Sequence, residues 1–198
     1  VFLYGESETF NNCTFKQEDS NNYNVWTYGA KEVAFNECIF NSAGKSVLIY
    51  KEKTPGFVAN ISVDKCEFNA SSAVEGKAAI EMDSSLIDGI NLTIDGETTA
   101  SGFGSGNVSG NSLWNNKKGN ETEANNDITV VVNDETVLAP LTLVAAAGGT
   151  NYTSLQAAYN AVAANGTITI LNDVTGAGLV IDKNVTIDFN EKTYTFNE

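Results

Sequence analysis

The chain has 198 residues, 42% of them hydrophobic and 18% charged, which is enough to build a real core and too apolar for general disorder. Lysine supplies all 11 positive charges against 25 carboxylates; the net charge is −14, and arginine and histidine are absent. An acidic, arginine-free surface disfavours nucleic acid, and the missing histidine removes Ser-His-Asp, Cys-His and His-metal mechanisms. No apolar run reaches the length of a membrane span, so membrane insertion is not expected.

A repeat organises the first half. Phe10-Asn11-Asn12-Cys13-Thr14-Phe15, Phe35-Asn36-Glu37-Cys38-Ile39-Phe40 and Val63-Asp64-Lys65-Cys66-Glu67-Phe68 share the pattern apolar-x-x-Cys-x-Phe. A second pattern alternates with it: Val1-Phe2-Leu3-Tyr4, Val25-Trp26-Thr27-Tyr28, Val47-Leu48-Ile49-Tyr50 and, more loosely, Ala79-Ile80-Glu81-Met82. Bent apolar segments thus return every ~22–32 residues, a solenoid period. Alternation at Val33/Phe35, Cys38/Phe40, Ile61/Val63, Cys66/Phe68 and Leu92/Ile94 makes the segments β. They are too closely spaced for crossover helices. Three short strands per turn of a coil fit, with corresponding strands stacked in parallel. Phe10, Phe35 and Val63 then form one inward column, Cys13, Cys38 and Cys66 a second, and Phe15, Phe40 and Phe68 a third.

Residues 97–126 are rich in Gly, Ser and Asn and read as a loop or a loosened coil. A strand follows over 128–132, then a turn at Asn133-Asp134, and a segment over 137–144 interrupted by Pro140. Ala145-Ala146-Ala147-Gly148-Gly149 reads as a boundary. Next comes a helix capped by Thr153 or Ser154, with Leu155, Ala158, Tyr159 and Val162 on one face and Gly166 as its stop. Strands are expected over 167–171, 179–181, 185–189 and 194–196.

Phrases such as Phe-Asn-Glu-Cys-Ile-Phe-Asn at 35–41 make the chain resemble a right-handed parallel β-helix of the pectate-lyase-like type. It is similar, more narrowly, to Asn- and Thr-rich β-helical surface proteins of gut bacteria. The resemblance implies an all-β solenoid with one short capping α-helix and a secreted or cell-surface location. It divides the chain into coils over 1–96, a Gly/Ser/Asn-rich segment with terminal strands over 97–150, and the helix-capped start of a second β-helical unit over 151–198. On that reading the chain is a window cut across a tandem array. This fold hosts lyases, hydrolases, adhesins and inert stalks, so it does not settle activity.

Few residues carry chemistry. Three cysteines at equal repeat positions could hold a metal, but they read better as small buried hydrophobes. The aromatic set Phe2, Tyr4, Trp26, Tyr28 and Tyr50 could stack sugars. Thr27 and Glu81 on the opposite face favour an inward, packed ladder instead. Trp114 lies in a polar run and is either an exposed ring for a glycan or partner protein, or an anchor for its loop. The candidates for paired catalytic carboxylates are Asp64, Glu81, Asp83, Asp88 and Asp95. Asp88-Gly89 and Asp95-Gly96 read as turns, and the acidic surface would repel a polyuronide. Neither a metal nor another cofactor is expected. Asn-x-Ser/Thr triplets, as at Asn60 and Asn91, reflect turns entering strands.

The expectation is therefore a non-catalytic extracellular module acting as stalk, scaffold or head-to-tail self-assembling element. An adhesin-type module for host protein or glycan is the alternative, and a polysaccharide lyase or hydrolase the weakest reading.

Overall fold

A computed structural model describes residues 1–50, 56–83, 89–107, 109–116, 128–140 and 142–197. It is nearly all β, with mostly parallel sheets, and its described residues fall into two compact units, 1–140 and 142–197.

In the first unit the strands come in threes. The first set is β1 (Ser7–Asn11), β2 (Thr14–Lys16) and β3 (Val25–Trp26). β4 (Glu32–Asn36), β5 (Ile39–Ser42) and β6 (Val47–Ile49) repeat it. So do β7 (Val58–Asp64), β8 (Glu67–Ala70) and β9 (Ile80–Met82). The fourth set is β10 (Gly89–Asp95), β11 (Thr99–Ser101) and β12 (Trp114–Asn116). Each strand pairs in parallel with the strand three places on, so three sheets form: β1-β4-β7-β10, β2-β5-β8-β11 and β3-β6-β9-β12. The set carried by β10, β11 and β12 shows that the Gly- and Ser-rich segment keeps the pairing of the sets before it. β13 (Ile128–Val132) extends the first sheet in parallel, and β14 (Glu135–Leu138) folds back on it through Asn133 and Asp134, both at positive φ. The strand read over 137–144 thus ends before Pro140.

The bend between first and second sheets is the same in each set. Asn12, Glu37, Lys65 and Gly96 occupy equivalent positions and have φ of 52°, 53°, 50° and 64°. A single left-handed residue turns the chain sharply without ending the pairing.

Register builds the core. Phe10 pairs with Phe35, Phe35 with Val63, and Val63 with Ile94. In the second sheet Phe15, Phe40 and Phe68 pair in turn. Their rings stack at 4.8 and 4.5 Å between centroids, tilted by only 9° and 12°. Phe35 meets Phe40 edge-on at 5.3 Å, locking the two columns together. Cys38 and Cys66 are buried beside them, and Cys13 is half-buried.

The second unit begins with a hairpin, β15 (Ala145–Ala147) and β16 (Thr150–Tyr152), turned by Gly148 and Gly149 at φ 59° and 84°. The alanine-glycine stretch read as a boundary is therefore a strand and turn of this unit. α1 (Leu155–Ala161) is the only helix among the described residues; Ser154 caps it by accepting the Ala157 N–H. Leu155, Ala158 and Tyr159 are buried in a core shared with Ala145, Ile168 and Ile170. β17 (Thr167–Ile170) pairs antiparallel with β15 and parallel with β19 (Thr186–Asp188). β18 (Val174–Gly176) pairs in parallel with β20 (Tyr194–Phe196). The strand expected over 179–181 is irregular, because no described strand offers it a partner. Instead the Tyr159 hydroxyl holds this segment, accepting the N–H groups of Asp182 (2.7 Å) and Lys183 (3.0 Å) and donating to Asp182 Oδ1 (2.5 Å).

Candidate functional site

The site is the outer face of the third sheet. Pairing there sets Val25, Val47, Ile80 and Trp114 in one column and Ile49 beside Met82 in another, all turned to the core. Trp26, Leu48, Glu81 and Asn115 share the opposite face. Phe2 joins their column through a parallel bridge to Trp26, and its ring lies 5.1 Å from the Trp26 ring. Two residues further along, Tyr28, Tyr50 and Asp83 follow the same alternation, and the Tyr4 ring lies 5.3 Å from Tyr28.

The aromatic residues therefore point outward, which corrects the inward ladder expected from the sequence. Phe2 and Tyr4 are 57% and 65% exposed, Trp26, Tyr28 and Tyr50 are half-buried, and Thr27, on the other face, is 1% exposed. The cause is register. Ile80-Glu81-Met82-Asp83, not Ala79-Ile80-Glu81-Met82, aligns with Val47-Leu48-Ile49-Tyr50. A slip of one residue exchanges the faces of a strand. In the inward position the Thr27 hydroxyl has no hydrogen-bond partner among the described residues, which carries a desolvation cost.

Glu81 is on the outer face yet fully buried, because residues 76–78 close over it. Its Oε1 accepts the Ala78 N–H at 2.8 Å; Lys77 Nζ lies 3.4 Å from Oε2, and Asn115 Nδ2 lies 3.3 Å from both oxygens. Asn115 also reaches the Gly76 carbonyl at 3.3 Å. Gly106 passes so close that a Cβ there would sit 2.5 Å from Asn115 Cβ, which fixes the glycine. Burial raises the Glu81 pKa, opposed by the Ala78 N–H, Lys77 and Asn115. Such a carboxyl clamps two loops and has no surface to offer a ligand.

Tyr23 flanks the strip, edge-on to Trp26 at 6.1 Å, with Lys45 Nζ 5.8 Å from its ring centroid. Burial, and then the charges of Glu81 and Asp83, hold the Tyr23 hydroxyl protonated.

Trp114 is 8% exposed and packs in the core from β12. Its backbone is tied down by Asn111 Oδ1, which accepts the N–H groups of Leu113 (2.8 Å) and Trp114 (3.0 Å), and by Ser109, whose hydroxyl donates to the Trp114 carbonyl. The ring is thus a loop anchor and offers no exposed stacking surface.

The thiols donate to carbonyls nearby: Cys38 Sγ to Phe10 and Asn36, Cys66 Sγ to Phe35 and Asp64, all at 3.4 Å. Burial pushes the Cys66 thiol up to about 11 and raises Cys38 as well. Among the described residues no group of His, Cys, Asp or Glu is arranged to hold a metal ion. Asp64 and Asp95 are register neighbours on the first sheet, whereas Glu81 and Asp83 belong to the third. Asp88 lies outside the described residues. The outer face of the first sheet carries a shallow polar trough of about 360 Å³ along Ser7, Thr9, Glu32, Asn60, Ser62 and Thr93. Two of the amides lining it bond one another, Asn91 Nδ2 donating to Asn60 Oδ1 at 2.8 Å.

No protein-family model matches the chain, and no curated protein or solved structure is significantly similar to it.

Proposed function

We propose that the chain is a non-catalytic, extracellular structural module whose first unit is a right-handed parallel β-helix carrying a glycan-binding strip. The second unit is the helix-capped start of another such helix. Repeated sets of three strands and their parallel pairing support the solenoid, and β17 with β19 and β18 with β20 support the second start. Such a stack is a stiff stalk, because each set of strands is covered by its neighbours.

One observation carries the binding role: Trp26, Tyr28 and Tyr50, with Phe2 and Tyr4, line one outer face, where aromatic rings can cover the apolar faces of sugars. This moves the weight from the buried Trp114 to the strip. The test is binding to an immobilised glycan panel by the parent chain and by Trp26→Ala, with thermal unfolding as the folding control. Retention by the parent and its loss in a folded variant is expected. Equal retention, or none by either, contradicts the binding role.

A further inference from the structure

Lys77, Glu81 and Asn115 bring an amine, a carboxyl and a primary amide to one enclosed spot. Register and sequence place them there. Asn115 on β12 pairs directly with Glu81 on β9, and Lys77 precedes Glu81 by four residues in the turn that closes over it. Lys77 Nζ lies 3.4 Å from Glu81 Oε2, and Asn115 Nδ2 lies 3.3 Å from the same oxygen. One carboxyl oxygen thus touches both a nucleophile and an amide nitrogen that can leave. Holding such groups together replaces a bimolecular encounter with a local one.

The surroundings favour attack by the amine over attack by water. Glu81, Ala78 and Asn115 are buried, and the Lys77 side chain is only 26% exposed. Gly106 covers the amide itself, since a Cβ there would sit 2.6 Å from both Asn115 Cγ and Oδ1. Excluding water suppresses hydrolysis of the amide as a competing reaction. Burial also raises the Glu81 pKa, which makes its carboxylate a stronger base toward a neighbouring ammonium. An ion pair buried this deeply stabilises a fold little better than apolar packing would, so stability alone does not account for it.

We propose that Lys77 and Asn115 join in an intramolecular isopeptide bond, with Glu81 carrying the protons. The Glu81 carboxylate takes a proton from the Lys77 ammonium, and the freed Nζ lone pair attacks Asn115 Cγ to form the new C–N bond. Glu81 passes that proton, and then the second one released by Nζ, to Nδ2. The Cγ–Nδ2 bond breaks with its electron pair on nitrogen, and ammonium leaves. Glu81 ends as the carboxylate it began as, and no oxidant or co-reactant is consumed. The bond ties the turn before β9 to β12, so the third and fourth sets of strands are joined covalently. Like any cross-link it constrains the unfolded chain, and it does so without depending on redox conditions. The proposal stands independently of the glycan-binding reading.

The experiment measures the intact mass of the purified full chain and maps its peptides after digestion. The expected result is a mass below that of the sequence by one ammonia, and one branched peptide joining the segments that hold Lys77 and Asn115. Lys77→Arg keeps a cation beside Glu81 but lacks the amine, and should carry its full mass. Glu81→Gln should carry its full mass in most molecules. Thermal unfolding checks that both variants are folded. A parent chain at its full sequence mass overturns the proposal whether or not the variants fold. So does an ammonia loss that maps to one unbranched peptide, as a succinimide at Asn165-Gly166 would, or one that persists in Lys77→Arg. A cross-link that forms as fully in folded Glu81→Gln overturns the role given to Glu81.

Discussion

Glu81 and Ala78 are joined by a 2.8 Å hydrogen bond in which a fully buried carboxyl oxygen accepts a backbone N–H. The bond holds the turn over β9, and its loss exposes the cost of burying its partners. Glu81→Ala should destabilise the first unit by about 3 kcal/mol, the scale of breaking a buried charged network. Glu81→Gln keeps an acceptor for Ala78 and removes the charge. The Glu81 pKa is raised on folding, so the folded chain binds the extra proton. Its contribution to stability is best below its ordinary value of 4.5 and declines as pH rises from there through the folded value. Denaturant melts of parent and Glu81→Gln should therefore diverge over that window, with the parent losing more.

Phe40 stacks on Phe15 and Phe68 and meets Phe35 edge-on, so it joins three neighbours at once. Phe40→Ala should cost about 3–5 kcal/mol, measured by urea denaturation. Phe15→Ala should cost less, because Phe15 is only half-buried.

Gly96 and Lys65 share the left-handed bend. A Cβ on Gly96 would come within 2.6 Å of Lys65 Cγ and 2.7 Å of Asp64 Oδ1. Gly96→Ala should lower stability by about 1–2 kcal/mol, and Lys65→Gly, which relieves the same conformation, should raise it by about 0.5 kcal/mol. Paired thermal melts read both signs.

The thiols should react in order of access. With its pKa near 11 and its side chain buried, Cys66 should resist alkylation at pH 8 in the folded chain, while half-buried Cys13 reacts first. Mass mapping of alkylated peptides, before and after denaturation, gives the order. Early labelling of Cys66 would mean the column opens.

In the second unit, Tyr159→Phe removes the acceptor for two backbone N–H groups and should cost about 1–2 kcal/mol. Amide exchange at Asp182 and Lys183 should accelerate, with the sheets of the first unit unchanged.

Much of the first unit is legible in its residues. Cysteine and phenylalanine recur at a spacing that only stacked, parallel strands place side by side, and Phe15, Phe40 and Phe68 stand in one column of the second sheet. The faces of the third sheet are less legible. Its strands are two or three residues long, so alternation alone does not fix the register. Alignment at Ala79 instead of Ile80 sends every ring to the wrong side. Glu81 gives no local sign of burial, since the groups that enclose it come from Ala78, Lys77 and, far along the chain, Asn115. Trp114 reads from its polar neighbours as either exposed or a loop anchor, and Asn111 and Ser109 are the groups that pin it inward.

The outward aromatic strip is the centre of the account, and the chain's two tryptophans test it directly. Acrylamide quenching would be compared between Trp114→Phe, which leaves Trp26, and Trp26→Phe, which leaves Trp114. The account predicts red-shifted, readily quenched emission from Trp26 and blue-shifted, protected emission from Trp114. Equal protection of both, or a protected Trp26 beside a quenched Trp114, would contradict it.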